Sequence, residues 1–134
     1  MKVDPVSVPG WPRPSGYSDG VLVQGDARLL FVAGQIGWDE KRRLVGPDFV
    51  AQFRRALENV MAVVKAAGGG PASLVRLTIY VVDKRDYRTR LAEIGEAYRS
   101  VLGRVFPAMS LVQVADLLED GARVEIEATA ALAP

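Results

Sequence analysis

Apolar residues recur through the middle of the chain at helical spacing. Val50, Phe53, Leu57, Val60, Val64 and Ala67 fall on one face, with Ala56 and Val63 beside them, which is the stripe of a helix laid against a core. Asp48, after Pro47, is placed to cap its start, and Gly68-Gly69-Gly70-Pro71 to stop it. A second stripe of Leu91, Ile94, Tyr98 and Val101-Leu102 predicts a helix from about Asp86 to Leu102. Between the two helices, residues 74–83 (LVRLTIYVVD) are rich in β-branched side chains and read as a strand.

The flanking segments follow the two-residue period of strands. VLVQ (21–24) and LLFVAGQI (29–36) flank GDAR, whose Gly25-Asp26 is a turn signal, so the pattern predicts a β-hairpin. The stretch WDEKRRLVG reads as a loop with a short strand near Leu44-Val45. Pro107 closes the second helix. The strand after it places Met109, Leu111 and Gln113 on one face and Ser110, Val112 and Val114 on the other. A Glu119-Asp120-Gly121 turn leads into a last strand, ARVEIEATAAL. Residues 1–16 hold Pro5, Pro9, Pro12 and Pro14 and read as extended or looped chain without regular structure.

The resulting order, β-β-(β)-α-β-α-β-β, is an α+β arrangement in which two helices cover one face of a sheet. The opposite face is expected to carry Leu22, Leu30, Val32, Tyr80, Leu111 and Gln113, which together do not make a solvent surface. Such a face points to burial by subunit association.

Composition narrows the chemistry. The 134 residues are expected to form one domain over 1–134, and 49% hydrophobic with 25% charged residues is an ordinary globular balance. The formal net charge of +1, with scattered basic residues, argues against binding to nucleic acid by charge. There is no cysteine and no histidine. Thiolate nucleophiles, disulfides, Cys/His zinc sites and Ser-His triads are therefore excluded, leaving carboxylates, Tyr, Lys, Arg, hydroxyls, backbone groups and water. With Asp4 and prolines where a signal peptide needs an apolar stretch, and no apolar run of membrane-spanning length, a cytoplasmic protein without membrane partners is expected.

Glu125 and Glu127, two apart, share the face of the last strand opposite to Val124, Ile126 and Ala128, which point to the core. They are either a general acid or base at a partly buried cleft or solvated edge glutamates. Met109 and Leu111 are either packing residues or the wall of a site. Tyr17 is either a phenol reaching a site or an anchoring aromatic. Gly34 inside a strand signals close backbone approach or a bulge. Trp38 reads as a clamp on its loop, Gly68 to Gly70 as a helix stop instead of a phosphate cradle, and Lys41-Arg42-Arg43 as a solvated loop tip.

AGQI, the helix pattern AQFRRALENV, AAGG, LTIYVVD, FPAMSLVQVADL and VEIEATA occur in an order and spacing that resemble the YjgF/RidA family, from about Gly16 to Leu132. The resemblance implies a chorismate-mutase-like α+β fold, a mixed six-stranded sheet with two helices on one face. It also implies a homotrimer with intersubunit clefts, and hydrolysis of small reactive enamines and imines to keto acids and ammonia without metal or organic cofactor. It places the family's strand glutamate on Glu125, its cleft tyrosine on Tyr17, and its GQ pair on Gly34 and Gln35, with Ala33 where a serine is usual. In the best-known branch the segment matching FPAMS reads FPARS, and its arginine clamps the substrate carboxylate. Here that position is Met109, and Leu111 stands where a cysteine is frequent. A thioether cannot imitate a bidentate guanidinium. The reading is a Rid-family enamine/imine deaminase-like hydrolase. The rivals are a non-catalytic trimeric small-molecule-binding protein and, behind it, an endoribonuclease.

Overall fold

The computed structural model describes all residues, 1–134. Six strands and three helices follow one another: β1 (Lys2–Val6), β2 (Gly20–Gln24), β3 (Arg28–Gln35), α1 (Phe49–Ala66), β4 (Leu74–Val81), α2 (Lys84–Arg88), α3 (Leu91–Leu102), β5 (Ala108–Gln113) and β6 (Val124–Leu132), with a 3-10 turn at Pro71–Ser73. The α+β class is as expected. The strands divide into a mixed four-stranded sheet, ordered β3-β6-β4-β5, and a two-stranded ribbon, β1-β2. β6 runs antiparallel to both neighbours, and β4 runs parallel to β5 through the crossover that carries α2 and α3. No helix is long and apolar enough to cross a membrane.

Helix α1 forms as its pattern requires. The Asp48 carboxylate accepts from Ala51 N at 3.0 Å, and Gly68, at φ +92°, ends the helix. Phe49, Phe53, Ala56, Leu57, Val60, Met61 and Val64 are buried, and Ile94, Ala97, Tyr98 and Leu102 of α3 meet them in one core. Leu91, expected on that stripe, is exposed because it sits at the very start of α3. The single helix expected over 86–102 is interrupted at Thr89-Arg90. Arg90 leaves helical geometry (φ −132°, ψ 36°) as its guanidinium bonds Asp48 Oδ1 at 2.7 Å and Glu93 Oε2 at 2.7 Å. That clamp joins the start of α1 to the start of α3.

Two further expectations are corrected. β2 and β3 do not form a hairpin. β2 pairs instead with β1 (Val3 opposite Val23, Pro5 opposite Val21), so the N-terminal segment expected to lack regular structure supplies a strand. Leu30 and Val32 face the helix layer, paired with Ala130 and Ala128, while Leu29 and Phe31 take the open face. LLFVAG is an unbroken apolar run, so alternation could not set its phase, and one residue of shift exchanges the two faces. Leu111 likewise pairs with buried Ile79 and packs on the core, and Leu22 lies in the ribbon. The open face carries Tyr80, as expected.

Gln52 is fully buried in α1. Its Nε2 donates to Gly46 O (2.8 Å) and Gly121 O (3.0 Å), and its Oε1 accepts from Arg123 N (2.8 Å). One side chain thus ties two loops to the helix layer, and no buried side-chain polar atom in the chain lacks a partner.

Candidate functional site

The site builds on an irregularity in β3. Val32 pairs with Ala128 and Gln35 with Ile126, so Ala33 and Gly34 together oppose Glu127 alone. This two-against-one count is a β-bulge, a device that bends a strand and re-aims its neighbours. Gly34 allows a close approach as well. A Cβ there would lie 2.7 Å from Glu125 Oε2 and 2.8 Å from its Cδ. The Glu125 carboxylate therefore rests against the β3 backbone, in space that any other residue at position 34 would fill. Gln35 braces the bulge through Nε2 to Ala33 O at 3.1 Å.

On one side the bulge borders a cavity of about 530 Å³ lined by Ala33, Gly34, Gln35, Trp38, Arg42 and Arg55, among others. Its far wall is braced by hydrogen bonds. Asn59 Nδ2 donates to Ile36 O (3.0 Å) and Trp38 O (2.9 Å), and Arg55 Nε donates to Trp38 O at 3.1 Å. Arg42, at φ +59°, lays its guanidinium 4.9 Å over the Trp38 ring. Trp38 thus clamps its loop as its position suggested. The tip at Lys41-Arg42-Arg43 is exposed, shaped by backbone N–H groups of Lys41 and Arg43 donating to Asp39 Oδ1.

Glu127 lies one alternation further along β6. Its Oε1 accepts from Tyr80 Oη at 2.7 Å, and that bond to a carboxylate holds the Tyr80 phenol above its ordinary pKa. The remaining sequence-derived residues lie elsewhere within the chain. Tyr17 is 43% exposed and lines a hollow with Arg13, Ser18 and Phe106, tied to the start of β5 by Ser18 N donating to Pro107 O. Met109 and Leu111 are half-buried on β5, packed against the core beside Leu77 and Ile79. One subunit therefore assembles Ala33, Gly34, Gln35 and Glu125, and leaves Tyr17, Met109 and Leu111 apart from them. No group of three or more Asp and Glu is placed to hold a metal ion. The sequence reading did not single out Arg76, Thr78 and Thr129, which share a polar hollow with Glu127. Within a strand their alternation with apolar residues reads only as an outer face.

Fold and site define a two-layer α+β protein with paired strand glutamates on the uncovered face of its sheet. The chain belongs to the YjgF/RidA family: the family model described as Endoribonuclease L-PSP matches residues 12–132. It is 41% identical over 113 residues to a 2-iminobutanoate/2-iminopropanoate deaminase of Salmonella typhimurium, covering 83% of this chain and 87% of that protein. It is 35% identical over 119 residues to the human protein of the same name, covering 88% and 81%. A crystal structure of the Rid-family protein YyfB from Yersinia pestis superposes with a TM-score of 0.85 at 34% identity, covering 98% of this chain and 100% of that one.

Proposed function

We propose that this protein is a Rid-family hydrolase that releases ammonia from small reactive imines or enamines in the cytoplasm, acting as one domain over 1–134 without cofactor. The observation that carries this reading is the Glu125 carboxylate seated against Gly34 at the β3 bulge. It is supported by the two relatives named as 2-iminobutanoate/2-iminopropanoate deaminases. Glu125 takes a proton from water as the water oxygen adds to the C=N carbon. Glu125 passes that proton to nitrogen, giving the carbinolamine, and a second proton then moves from its hydroxyl to nitrogen as the C–N bond breaks, leaving a carbonyl product and ammonia. Ala33, Gly34 and Gln35 line the approach.

The functional unit in this reading is a homotrimer. Leu29 at 60%, Phe31 at 74% and Val112 at 43% exposure leave an apolar face that a second copy covers. A neighbouring subunit then brings Tyr17 and the edge of β5 to Glu125. β5 is an outer strand of the sheet, bridged at its start by Ser18 beside Ala108, so its outer backbone groups from the Met109 C=O to Leu111 hold polar atoms of the substrate. Ammonia release from imines generated in situ tests the reaction, with Glu125→Gln as control. No turnover above buffer on any imine overturns it. Light scattering should give a mass near three times 14.5 kDa.

One observation favours a second reading, a metabolite-binding trimer without turnover. Met109, which stands at the position of the best-known branch's arginine, is a thioether packed on the core. Ligand binding that persists in Glu125→Gln, with no turnover to lose in the parent, decides for it.

A further inference from the structure

The loop that walls the cavity beside the β3 bulge carries a residue that its backbone does not favour. Trp38 bridges Leu44 in antiparallel fashion, Arg42 N donates to Asp39 O at 2.9 Å, and Asp39 N donates to Arg43 O at 2.9 Å. These contacts close a tight hairpin over Glu40, Lys41 and Arg42, whose last position is left-handed. Glycine suits that position best. Arg42 occupies it at φ +59°, the one residue other than glycine with a positive φ in the chain.

The constrained backbone aims the side chain. The Arg42 guanidinium lies 4.9 Å over the Trp38 ring and lines the cavity of about 530 Å³ together with Gly34, Gln35 and Asn59. Stacking occupies one flat face of the guanidinium and leaves its N–H edge for an anion. Both acidic residues of the loop are engaged elsewhere, Asp39 with Arg43 at 3.6 Å and Glu40 with Arg55 at 3.1 Å. β3 is an outer strand, and Asn59, Ala62 and Val63 of α1 also line the cavity. The cavity therefore lies at the sheet edge toward the helix layer, away from the open face that a second copy covers.

Its two ends set the ligand. At one is the Gly34 bulge, against which Glu125 rests, and at the other is the Arg42 guanidinium. The volume falls within the roughly 300–1,000 Å³ of ordinary ligand pockets, so an imine of two or three carbons held at the bulge leaves the Arg42 end empty. On β5, Met109 supplies no charge for a carboxylate next to the reacting carbon. We propose that Arg42 is a specificity-determining residue, and that it selects imines or enamines whose carboxylate stands several bonds from the C=N carbon. Arg42 takes that carboxylate through its guanidinium fork, and Ala62 and Val63 flank the methylenes between. The inference rests on the deaminase reading for placing the C=N group at Glu125.

Isothermal titration of the purified protein, in its native assembly, with three five-carbon ketones tests the proposal. These are stable analogues of deaminated products. In 4-oxopentanoate the carboxylate is remote from the carbonyl, in 2-oxopentanoate it is adjacent, and 2-pentanone has none. 4-Oxopentanoate should bind at least about tenfold more tightly than the other two, and Arg42→Gly should reduce it to the level of 2-pentanone. That variant places the favoured residue at the left-handed position, so it should melt no lower than the parent. Arg42→Asn, which also tolerates this conformation, gives the same reading if the glycine variant fails to fold. The proposal is overturned if 4-oxopentanoate binds no more tightly than 2-oxopentanoate or 2-pentanone. It is equally overturned if folded Arg42→Gly or Arg42→Asn keeps full affinity. Because the readout is binding, the two readings fail separately. Ammonia release without the preference removes only the role of Arg42, and an Arg42-dependent preference without ammonia release removes only the reaction.

Discussion

On the face of the sheet covered by α1 and α3, Leu77, Ile79, Val81, Val124 and Ile126 are at most 1% exposed. One residue away along the same strands, Thr78, Tyr80, Glu125 and Glu127 are only half-buried, and on β3 Phe31 is 74% exposed. The covered face is a packing problem, solved by apolar side chains with no unsatisfied polar atom. The open face holds carboxylates, a phenol, hydroxyls and an unpaired arginine beside bare aromatic surface, an arrangement with little to offer the stability of one subunit. Apolar packing and polar side chains are thus divided between the two sides of one sheet.

The most severe way to break this division is from the covered side. Leu77→Ala should cost about 2–5 kcal/mol in denaturant unfolding, because the cavity cannot collapse in a packed core. Its neighbour Thr78→Ala, on the other face, should stay within about 0.5 kcal/mol. Equal costs would show that the open face is as tightly packed as the core. Gln52→Leu comes next, at about 3 kcal/mol, since it leaves the Arg123 N–H and two loop carbonyls without their part-buried partner.

Two glycines sharpen the contrast at smaller amplitude. At Gly37 an added Cβ meets backbone, 2.5 Å from Gln52 Cα, whereas at Gly34 it meets the movable end of Glu125. Gly37→Ala should therefore lose about 1–3 kcal/mol of stability. Gly34→Ala should lose under about 1 kcal/mol while cutting ammonia release at least about tenfold, since it displaces the carboxylate. Thermal melts and turnover measured on both variants separate the two effects.

The smallest effect concerns the Arg90 clamp. The Arg90 guanidinium, by hydrogen bonding, holds the Asp48 and Glu93 carboxyls below their ordinary values. A depressed folded-state pKa adds stability that is present above the ordinary carboxylate range and is lost as pH falls through the folded values. Acid melts should thus decline less steeply below about pH 4 in Arg90→Met than in the parent, and only slightly so, because all three groups are partly exposed. Parallel acid slopes would remove the clamp from the account.

The parts of this fold that were legible in the sequence share one property: their signal is local and periodic. The stripe of α1, its Asp48 cap and glycine stop, the alternation of β6 that put Glu125 and Glu127 opposite Val124 and Ile126, and the hint of a bulge at Gly34 all depend on neighbours a few residues apart. The misread parts depend on distant partners. Gly25-Asp26 does turn the chain, but whether β2 pairs with β3 or with β1 depends on which edge is free to accept it. Arg90 breaks a helical pattern because its counter-ion, Asp48, lies 42 residues earlier.

By itself, then, the sequence determined the α+β class, two core-facing helices, the carboxylate face of the last strand and a chemistry without thiol or imidazole, because propensity, period and composition are properties of the chain alone. Only the tertiary structure decided which face Leu30, Val32, Met109 and Leu111 occupy. It alone seated Glu125 on Gly34 and gathered Arg76, Thr78, Glu127 and Thr129 into one hollow. Register between strands is set by packing and backbone pairing across the whole sheet, and an apolar run without alternation carries no record of it.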